Sequence, residues 1–305
     1  MKVSIIGAAG SVGSPTAFHI AASGLADQIV MVDIRQNVVR HHAMDMSTAV
    51  SASGVSVRSG SFEDLAGSAV VINAAGVHQG LIADRMEMFP KNLPVVRDLA
   101  LEIKRHCPAA FVITVTNPVD HMNYATWRVG GFDRHQVIGY SLNDSLRFRE
   151  LVARAKGVKV DQVRATVMGE HGSTQVPLFS SVRVDCRPVS FNEEEKQSIL
   201  ADAAGILKSY EELQAGRTAG WSCAVGLAAL TRAVVKDTEE TFPCSVVLAG
   251  EYGQRGVSMA VPVVLGRGGV QEVLQWELTP EEQLGLARTA AALKATVQII
   301  DENLS

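Results

Sequence analysis

Features that would mark a secreted, membrane-spanning or nucleic-acid-binding protein are scarce in this chain. Its four cysteines, Cys107, Cys186, Cys223 and Cys244, lie far apart and form no C-x-x-C pair. Zinc ligation uses close pairs and a disulfide framework belongs to short secreted chains, so the thiols read as reduced groups of a cytoplasmic protein. No apolar run reaches the roughly 18 residues that a membrane-spanning helix needs. The opening MKVSIIGAAG breaks at Gly7 and Gly10, too early for the apolar core of a secretion signal, and reads as a first strand. Basic residues are not in excess: the formal net charge is −4, which offers no electrostatic footprint for nucleic acid. The pair His41-His42 has no third ligand near it in sequence and reads as a solvated helix face, so no metal is expected.

What is present is a large apolar fraction, 47% of 305 residues, enough for one large core or two ordinary ones. Through the first half, β-branched runs (KVSII, QIVMV, AVVINA, FVITV) alternate with stretches of helical period, such as residues 93–105. That alternation predicts an α/β fold with a parallel sheet covered on both faces. Near residue 140 the pattern changes. A helix through Leu151 is expected there, then strands over 163–168 and 176–184. Helices over 192–214 and 221–236 follow, then the strand-like runs SVVLAG and VSMAVPVVLG. Thr279-Pro280-Glu281-Glu282 carries the signature of a capping box before a last helix that buries Leu286, Ala290, Leu293, Val297 and Ile300. The expected architecture is a Rossmann-type doubly wound parallel sheet, residues 1–141, followed by a mixed α/β substrate domain, residues 142–305. No flexible linker separates them, which predicts a rigid junction.

Two stretches point to chemistry. After the first strand, G-A-A-G-S-V-G places Gly7, Gly10 and Gly13 at a tight turn opening a helix. A pyrophosphate can approach such a turn and meet the free N–H groups of the helix start. Asp33 ends the second strand, 20 residues past Gly13, where a carboxylate can take both ribose hydroxyls of an adenosine and repel a 2′-phosphate. With strand, glycines, helix and acid in this order, a dinucleotide site for NAD is expected, although Arg35 close by leaves room for NADP. In RATVMGEHGSTQVP, a strand-like run stops at Gly169 and His171 stands between two glycines. Histidine is the natural proton donor near neutral pH, and it works with an orienting carboxylate and a cation that holds the substrate. In NDSLRFR, Asp144 and Arg147 share a helix face and could fill those two roles, or could simply pair with each other as an intrahelical salt bridge.

These motifs in their order, VTNPVDHMNYATWRVGGFDRHQVIG, then DSLRFR, GEHG and V-P, then PCSVVLAGEYG, GVSMAVPVVLGRGGVQEV and LTPEE, closely resemble the L-lactate/L-malate dehydrogenase family, from Lys2 to the last helix. The resemblance implies an NAD-dependent oxidoreductase acting on a small 2-oxo or 2-hydroxy acid, usually as a homodimer or homotetramer. It implies that His171 is the acid/base, Asp144 its carboxylate partner and Arg147 the arginine that binds the substrate carboxylate. Arg85 matches the lid arginine that polarises the reacting carbonyl, and Asn92 and Asn117 match residues beside nicotinamide and substrate. On this reading, the glycines flanking Glu170 and His171 keep the imidazole reachable.

In the same family, the residue six before the lid arginine reads the substrate's side chain: arginine pairs with the second carboxylate of oxaloacetate, glutamine suits a neutral group. Here it is Gln79, which favours a lactate-like substrate, with malate the alternative. Leu81, Ile82 and Ala83 could line a pocket for a larger apolar 2-oxo acid or pack the lid down, and either Trp221 or Ser222 could face the substrate's side chain. A short-chain dehydrogenase is excluded because no tyrosine has lysine four places on.

Overall fold

The computed structural model describes residues 1–77, 85–216 and 218–303. The first half runs β1 (Lys2–Ile6), α1 (Gly13–Ala22), β2 (Gln28–Val32), α2 (Gln36–Ala49), β3 (Ser56–Ser59), β4 (Val70–Asn73), α3 (Phe89–His106), β5 (Phe111–Thr114), α4 (Val119–Gly130) and β6 (Val137–Tyr140). The four strands expected from their β-branched runs are there. β3, with the sequence SVRS, is too short and polar to announce itself and pairs only with β2, at the sheet edge. Helix α3 begins four residues before the expected start. Pro90 sits in the first turn, where an N–H has no intrahelical partner to lose, whereas Pro94 lies inside the helix and leaves one i→i−4 bond unmade.

The second half opens with α5 (Leu142–Lys156) and continues through five short strands: β7 (Val163–Arg164), β8 (Val167–Met168), β9 (Val176–Pro177), β10 (Arg183–Val184) and β11 (Arg187–Pro188). The expected strands over 163–168 and 176–184 are thus each broken in two, the second by a 3-10 turn at Phe179–Ser181. Then come α6 (Glu193–Glu212), α7 (Gly220–Lys236), β12 (Glu240–Ala249), β13 (Arg255–Gly266), β14 (Gly269–Val273) and α8 (Pro280–Asn303).

Nine strands form one sheet, in the order β14-β13-β12-β6-β5-β4-β1-β2-β3. The six from β3 to β6 are parallel, the doubly wound order, and the direction of winding reverses between β1 and β4. That reversal opens a crevice at the carboxyl ends of the strands, the place where such sheets take ligands. The strands themselves are buried on both faces, Val3, Ile5, Val70, Val71, Ile72, Val112 and Ile113 being fully inaccessible.

The expected division after residue 141 falls between β6 and α5, yet the sheet continues across it. β12 pairs antiparallel with β6, Cys244 opposite Tyr140 and Ser245 opposite Gly139. This two-residue ladder, buried in the core, joins the two halves in one sheet. Among the described residues no helix is long and apolar enough to cross a membrane.

The capping box at α8 is present and does more than cap. Thr279 N–H donates to Glu282 Oε2 at 3.0 Å, and Glu282 N–H donates to Thr279 Oγ1 at 3.3 Å. The same carboxylate accepts the N–H and the hydroxyl of Ser180, 3.2 and 2.8 Å away, so it pins the helix start to the 3-10 turn across the molecule. Glu282 is buried, and removing it orphans donors that water cannot reach easily. Glu282→Ala is expected to lower unfolding stability by about 2–3 kcal/mol, beyond the ~1 kcal/mol of a lost cap. A urea midpoint within error of the parent's contradicts this.

Candidate active site

The crevice between β1 and β4 is floored by glycines held against main chain. Gly7 sits at φ +80°, and a Cβ there would lie 2.6 Å from the Ala75 nitrogen; a Cβ on Gly13 would lie 2.3 Å from the Gly7 carbonyl oxygen. Gly10 is freer: its Cβ would meet only the Gly7 oxygen, at 3.1 Å, so one side of the turn stays open to a ligand at the start of α1. A cavity of about 450 Å³ lies there, lined by Gly10, Ser11, Ser14, Arg35, Thr218 and Trp221 among others.

Asp33, at the end of β2, is not the cap of α2, whose first turn has no side-chain cap. Its Oδ2 accepts the Ala9 N–H and its Oδ1 the Arg35 N–H, both at 2.9 Å, tying the glycine turn to β2. A carboxylate has about four lone-pair positions, so two remain for a pair of ribose hydroxyls. Beyond β4 and β5, Asn92 from α3 spans two loops: its Oδ1 accepts the Val77 N–H at 2.8 Å and its Nδ2 donates to the Asn117 carbonyl at 2.7 Å. Both ends of the Asn92 amide are engaged with main chain, so it shapes the crevice wall. The Asn117 side chain differs, because its Oδ1 is buried with no hydrogen-bond partner among the described residues. A buried amide oxygen left unpaired beside a crevice fits a donor brought by a ligand, such as a carboxamide. Turn, acid and orphaned oxygen together fit NAD: Gly7, Gly10 and Gly13 beside its pyrophosphate, Asp33 at its ribose, Asn117 toward its nicotinamide end.

Helix α4 begins immediately after Asn117-Pro118, and its first turn carries Asp120. Asp120 is buried: Oδ2 accepts the main-chain N–H of His171 at 2.7 Å and Oδ1 accepts the Ser245 hydroxyl at 2.5 Å. This bond carries the imidazole of the second half to the crevice of the first. The His171 ring is held separately, with Nδ1 2.5 Å from Asp144 Oδ2 on α5. A carboxylate at Nδ1 keeps a proton there and leaves Nε2 as the nitrogen for exchange. Arg147 Nη1 stands 3.5 Å from the other Asp144 oxygen, a long contact. Of these two contacts of Asp144, the one to His171 is the closer and the intrahelical salt bridge the weaker.

His171 is only 9% exposed, which corrects the expected reason for its flanking glycines. Gly169 sits at φ +86° and exchanges main-chain hydrogen bonds with Ala260 of β13 at 2.9 and 2.8 Å, fixing the loop to the sheet. A Cβ on Gly172 would lie 2.6 Å from the Glu170 carboxyl carbon, so its room goes to that carboxylate, which accepts the Thr174 N–H and hydroxyl.

Burial dominates the electrostatics. It pushes the Asp120 carboxyl up to about 7, with the Ser245 hydroxyl and His171 N–H pulling back and Glu170 and Asp144 adding to the rise. It pushes the neighbouring His121 imidazole down to about 4, against the pull of Glu170, so His121 is neutral at physiological pH.

The structure therefore brings together His171, Asp144, Arg147 and, through α4, Asn117. Gln79 lies outside the described residues, as does the side chain of Arg85, whose main chain begins the 3-10 turn Arg85–Met88 leading into α3. Leu81, Ile82 and Ala83 are outside them as well. Of the two candidates on α7, Trp221 is 78% exposed and lines the large cavity. Ser222 Oγ accepts a hydrogen bond from Asn143 Nδ2 at 3.2 Å, beside Asp144. Sequence reasoning passed over Asp120 and Ser245. The available signal was a lone acid in the first turn of a helix otherwise rich in buried residues, and a serine opening the apolar run SVVLAG.

Comparison with known proteins agrees with this geometry. The sequence model of the lactate/malate dehydrogenase NAD binding domain matches residues 1–139, and that of the lactate/malate dehydrogenase alpha/beta C-terminal domain matches residues 142–303. Malate dehydrogenase of Halobacterium salinarum is 38% identical over 96% of this chain and 97% of its own. Malate dehydrogenase of Natronomonas pharaonis is also 38% identical, over 92% and 93%. Two solved structures from Cryptosporidium parvum superpose closely. Its malate dehydrogenase has a TM-score of 0.93 at 31% identity, covering 99% of both chains. Its lactate dehydrogenase, in complex with lactic acid and nicotinamide adenine dinucleotide, has a TM-score of 0.92 at 30% identity, covering 98% of both. With both halves matched and the crevice shaped for the dinucleotide, the chain belongs to the lactate/malate dehydrogenase family, NAD-dependent dehydrogenases of 2-hydroxy acids.

Proposed function

We propose that the chain interconverts oxaloacetate and L-malate, with His171 as the proton-transfer group. The observation that supports the chemistry is the 2.5 Å contact between His171 Nδ1 and Asp144 Oδ2, with Arg147 reaching the same carboxylate. NAD, when bound, takes or supplies the hydride at carbon 2 of the acid. In the direction of reduction, the protonated imidazole gives its Nε2 proton to the 2-oxo oxygen, and Asp144 stabilises the cationic ring before the transfer. Arg147 binds the substrate's C1 carboxylate through two parallel hydrogen bonds. Arg85 stabilises the negative charge that develops on the reacting oxygen. In the reverse direction neutral His171 accepts the hydroxyl proton. Gly7, Gly10, Gly13, Asp33 and Asn117 hold the cofactor, and Asn92 holds the loops that bear on it.

The choice of substrate rests on the relatives. Malate dehydrogenases are 38% identical over almost the whole chain, and this favours a dicarboxylate over the lactate-like substrate expected from Gln79 alone. His78, next to Gln79 in the sequence, carries a positive charge when protonated, which would favour a second carboxylate. Gln79 itself supports the second reading, a neutral side chain such as that of pyruvate, since a buried carboxylate opposite an amide forfeits its ion pair. A homodimer or homotetramer in the cytoplasm belongs to the same proposal; exposed Phe18 on α1, Met44 on α2 and Val225 on α7 are apolar groups that a second copy would cover.

Oxidation of NADH followed at 340 nm with oxaloacetate, pyruvate, and branched or aromatic 2-oxo acids decides between the two. Oxaloacetate is expected to lead; pyruvate or a larger apolar acid ahead by an order of magnitude restores the reading from Gln79. In either case Gln79→Arg should raise the oxaloacetate-to-pyruvate ratio of kcat/KM by about 30-fold or more, the lower end of what pairing a buried charge contributes. An unchanged ratio means that position 79 does not meet the substrate. His171→Asn should lower kcat by roughly 10²–10⁴-fold while NADH still quenches protein fluorescence at the parent concentration. Gly13→Ala should do the opposite, weakening NADH binding by about tenfold or more through the clash with the Gly7 carbonyl. Parent affinity in that variant would place the dinucleotide elsewhere.

A further inference from the structure

The proposed chemistry uses one carboxylate behind the imidazole, but the structure supplies two. Asp120 is buried at 2% exposure and lies on the far side of His171 from Asp144 in bonding terms: Asp144 meets the ring, Asp120 meets the main chain. Its hydrogen bonds all run toward it. The Ser245 hydroxyl donates to Oδ1 at 2.5 Å and is itself 2.9 Å from the Ser258 hydroxyl, which accepts from Asn123 Nδ2 at 3.0 Å. Asn123 also donates to the Ser245 carbonyl at 3.1 Å. A chain of donors ordered in one direction, from α4 through β13 and β12, ends on one carboxylate. Such an order is matched to an acceptor-only, ionised group; a protonated Asp120 would bring a donor into a set already full of them.

We propose that Asp120 is a second positioning carboxylate for His171, which holds the histidine's main chain in register with the crevice and adds negative charge that favours the protonated imidazole. It rests on the reading that His171 transfers the proton. The groups around Asp120 make the sign of the effect clear. Glu170 and His171 face it from the loop after β8, and Asp144 from α5 with Arg147 beyond; His121, next to it in sequence, is kept neutral by burial and interacts with Glu170, and Ser245 and Ser258 from the two strands are uncharged. Ionised Asp120 sits among like charges, Glu170 and Asp144, and the cation on His171 offsets them. As pH rises past about 7, where burial places the Asp120 carboxyl, Asp120 gains its charge and helps to retain the proton on His171. The two groups titrate as a coupled pair.

The test reads the imidazole directly, in the enzyme without cofactor, by NMR titration of ¹⁵N-histidine-labelled protein, with the His171 resonance assigned by its loss in His171→Asn. Asp120→Asn keeps the size of the group and removes its charge. The His171 midpoint is expected to fall by about one pH unit. The alkaline limb of the pH profile for 2-oxo acid reduction should move down with it and kcat should drop roughly tenfold, the proton donor being depleted. NADH affinity should stay at the parent value, since Asp120 touches the loop of His171 and not the glycine turn. Ser245→Ala is the second variant and decides the matter if Asp120→Asn does not fold. It removes a donor that favours ionised Asp120, so the midpoint should move in the same direction by a smaller amount. A His171 midpoint that stays in place in both variants, or in Ser245→Ala alone if the other is unfolded, overturns the proposal. His171→Asn separates the two ideas. An active His171→Asn enzyme defeats the proton-transfer reading itself, whereas an inactive one with an unmoved midpoint defeats only the role of Asp120.

Discussion

One imidazole is gripped from two helices, and the arrangement of the molecule follows from that grip. Asp144 on α5 takes the Nδ1 side of the His171 ring, and Asp120 on α4 takes its main-chain N–H. Burying two carboxylates around one loop costs several kcal/mol per charge unless every acceptor is supplied with donors. The fold supplies them through Ser245, Ser258 and Asn123, and those residues meet only because β12 pairs with β6 and β13 with β12. The nine-stranded sheet is therefore part of the site as well as its scaffold. It brings strands from the end of the chain to a helix that starts at residue 119.

Geometry on the cofactor side has a different origin. It comes from the reversal in strand order between β1 and β4, which leaves the carboxyl ends of the strands open. Gly7 and Gly13 bring main chain against main chain, Asp33 ties the turn to β2, and Asn92 ties the end of β4 to the end of β5. Helix α4 links the two sides, because the main chain of Asn117 at its entrance is held by Asn92 and Asp120 in its first turn holds the histidine. Asn117 and Asp120, the residue that holds the histidine's main chain, thus lie three positions apart in the sequence.

Overall likeness to relatives and choice of substrate lie on two different scales. Identity over 298 residues records the whole inherited scaffold, whereas on the proposed function the choice between a carboxylate and a methyl group rests on the one side chain at position 79. A cation at that contact is worth kilocalories and is almost invisible in the average. The scaffold here is shared with malate dehydrogenases, while position 79 holds glutamine. Of the two side chains weighed on α7, the structure ties Ser222 to Asn143 beside Asp144 and leaves Trp221 exposed at the large cavity.

Local order was legible from residues alone. β-branched runs bounded by Gly, Asn or Asp read as buried strands, G-A-A-G-S-V-G with Asp33 read as a dinucleotide turn, and Thr279 with Glu282 read as a helix start, because each signal is carried by neighbours in sequence. His171, Asp144 and Arg147 stood out as candidates for the same reason, while their roles, and Arg85 with them, came from the family resemblance. What needed the tertiary structure was every choice between partners. Sequence could not rank Asp144's bond to His171 above its bond to Arg147, tell which residue Gly172 makes room for, join β12 to β6, or single out Asp120. Those outcomes depend on contacts between residues up to 125 positions apart, as Ser245 and Asp120 are, and it is burial that makes such contacts decisive by removing the water that would otherwise satisfy either partner.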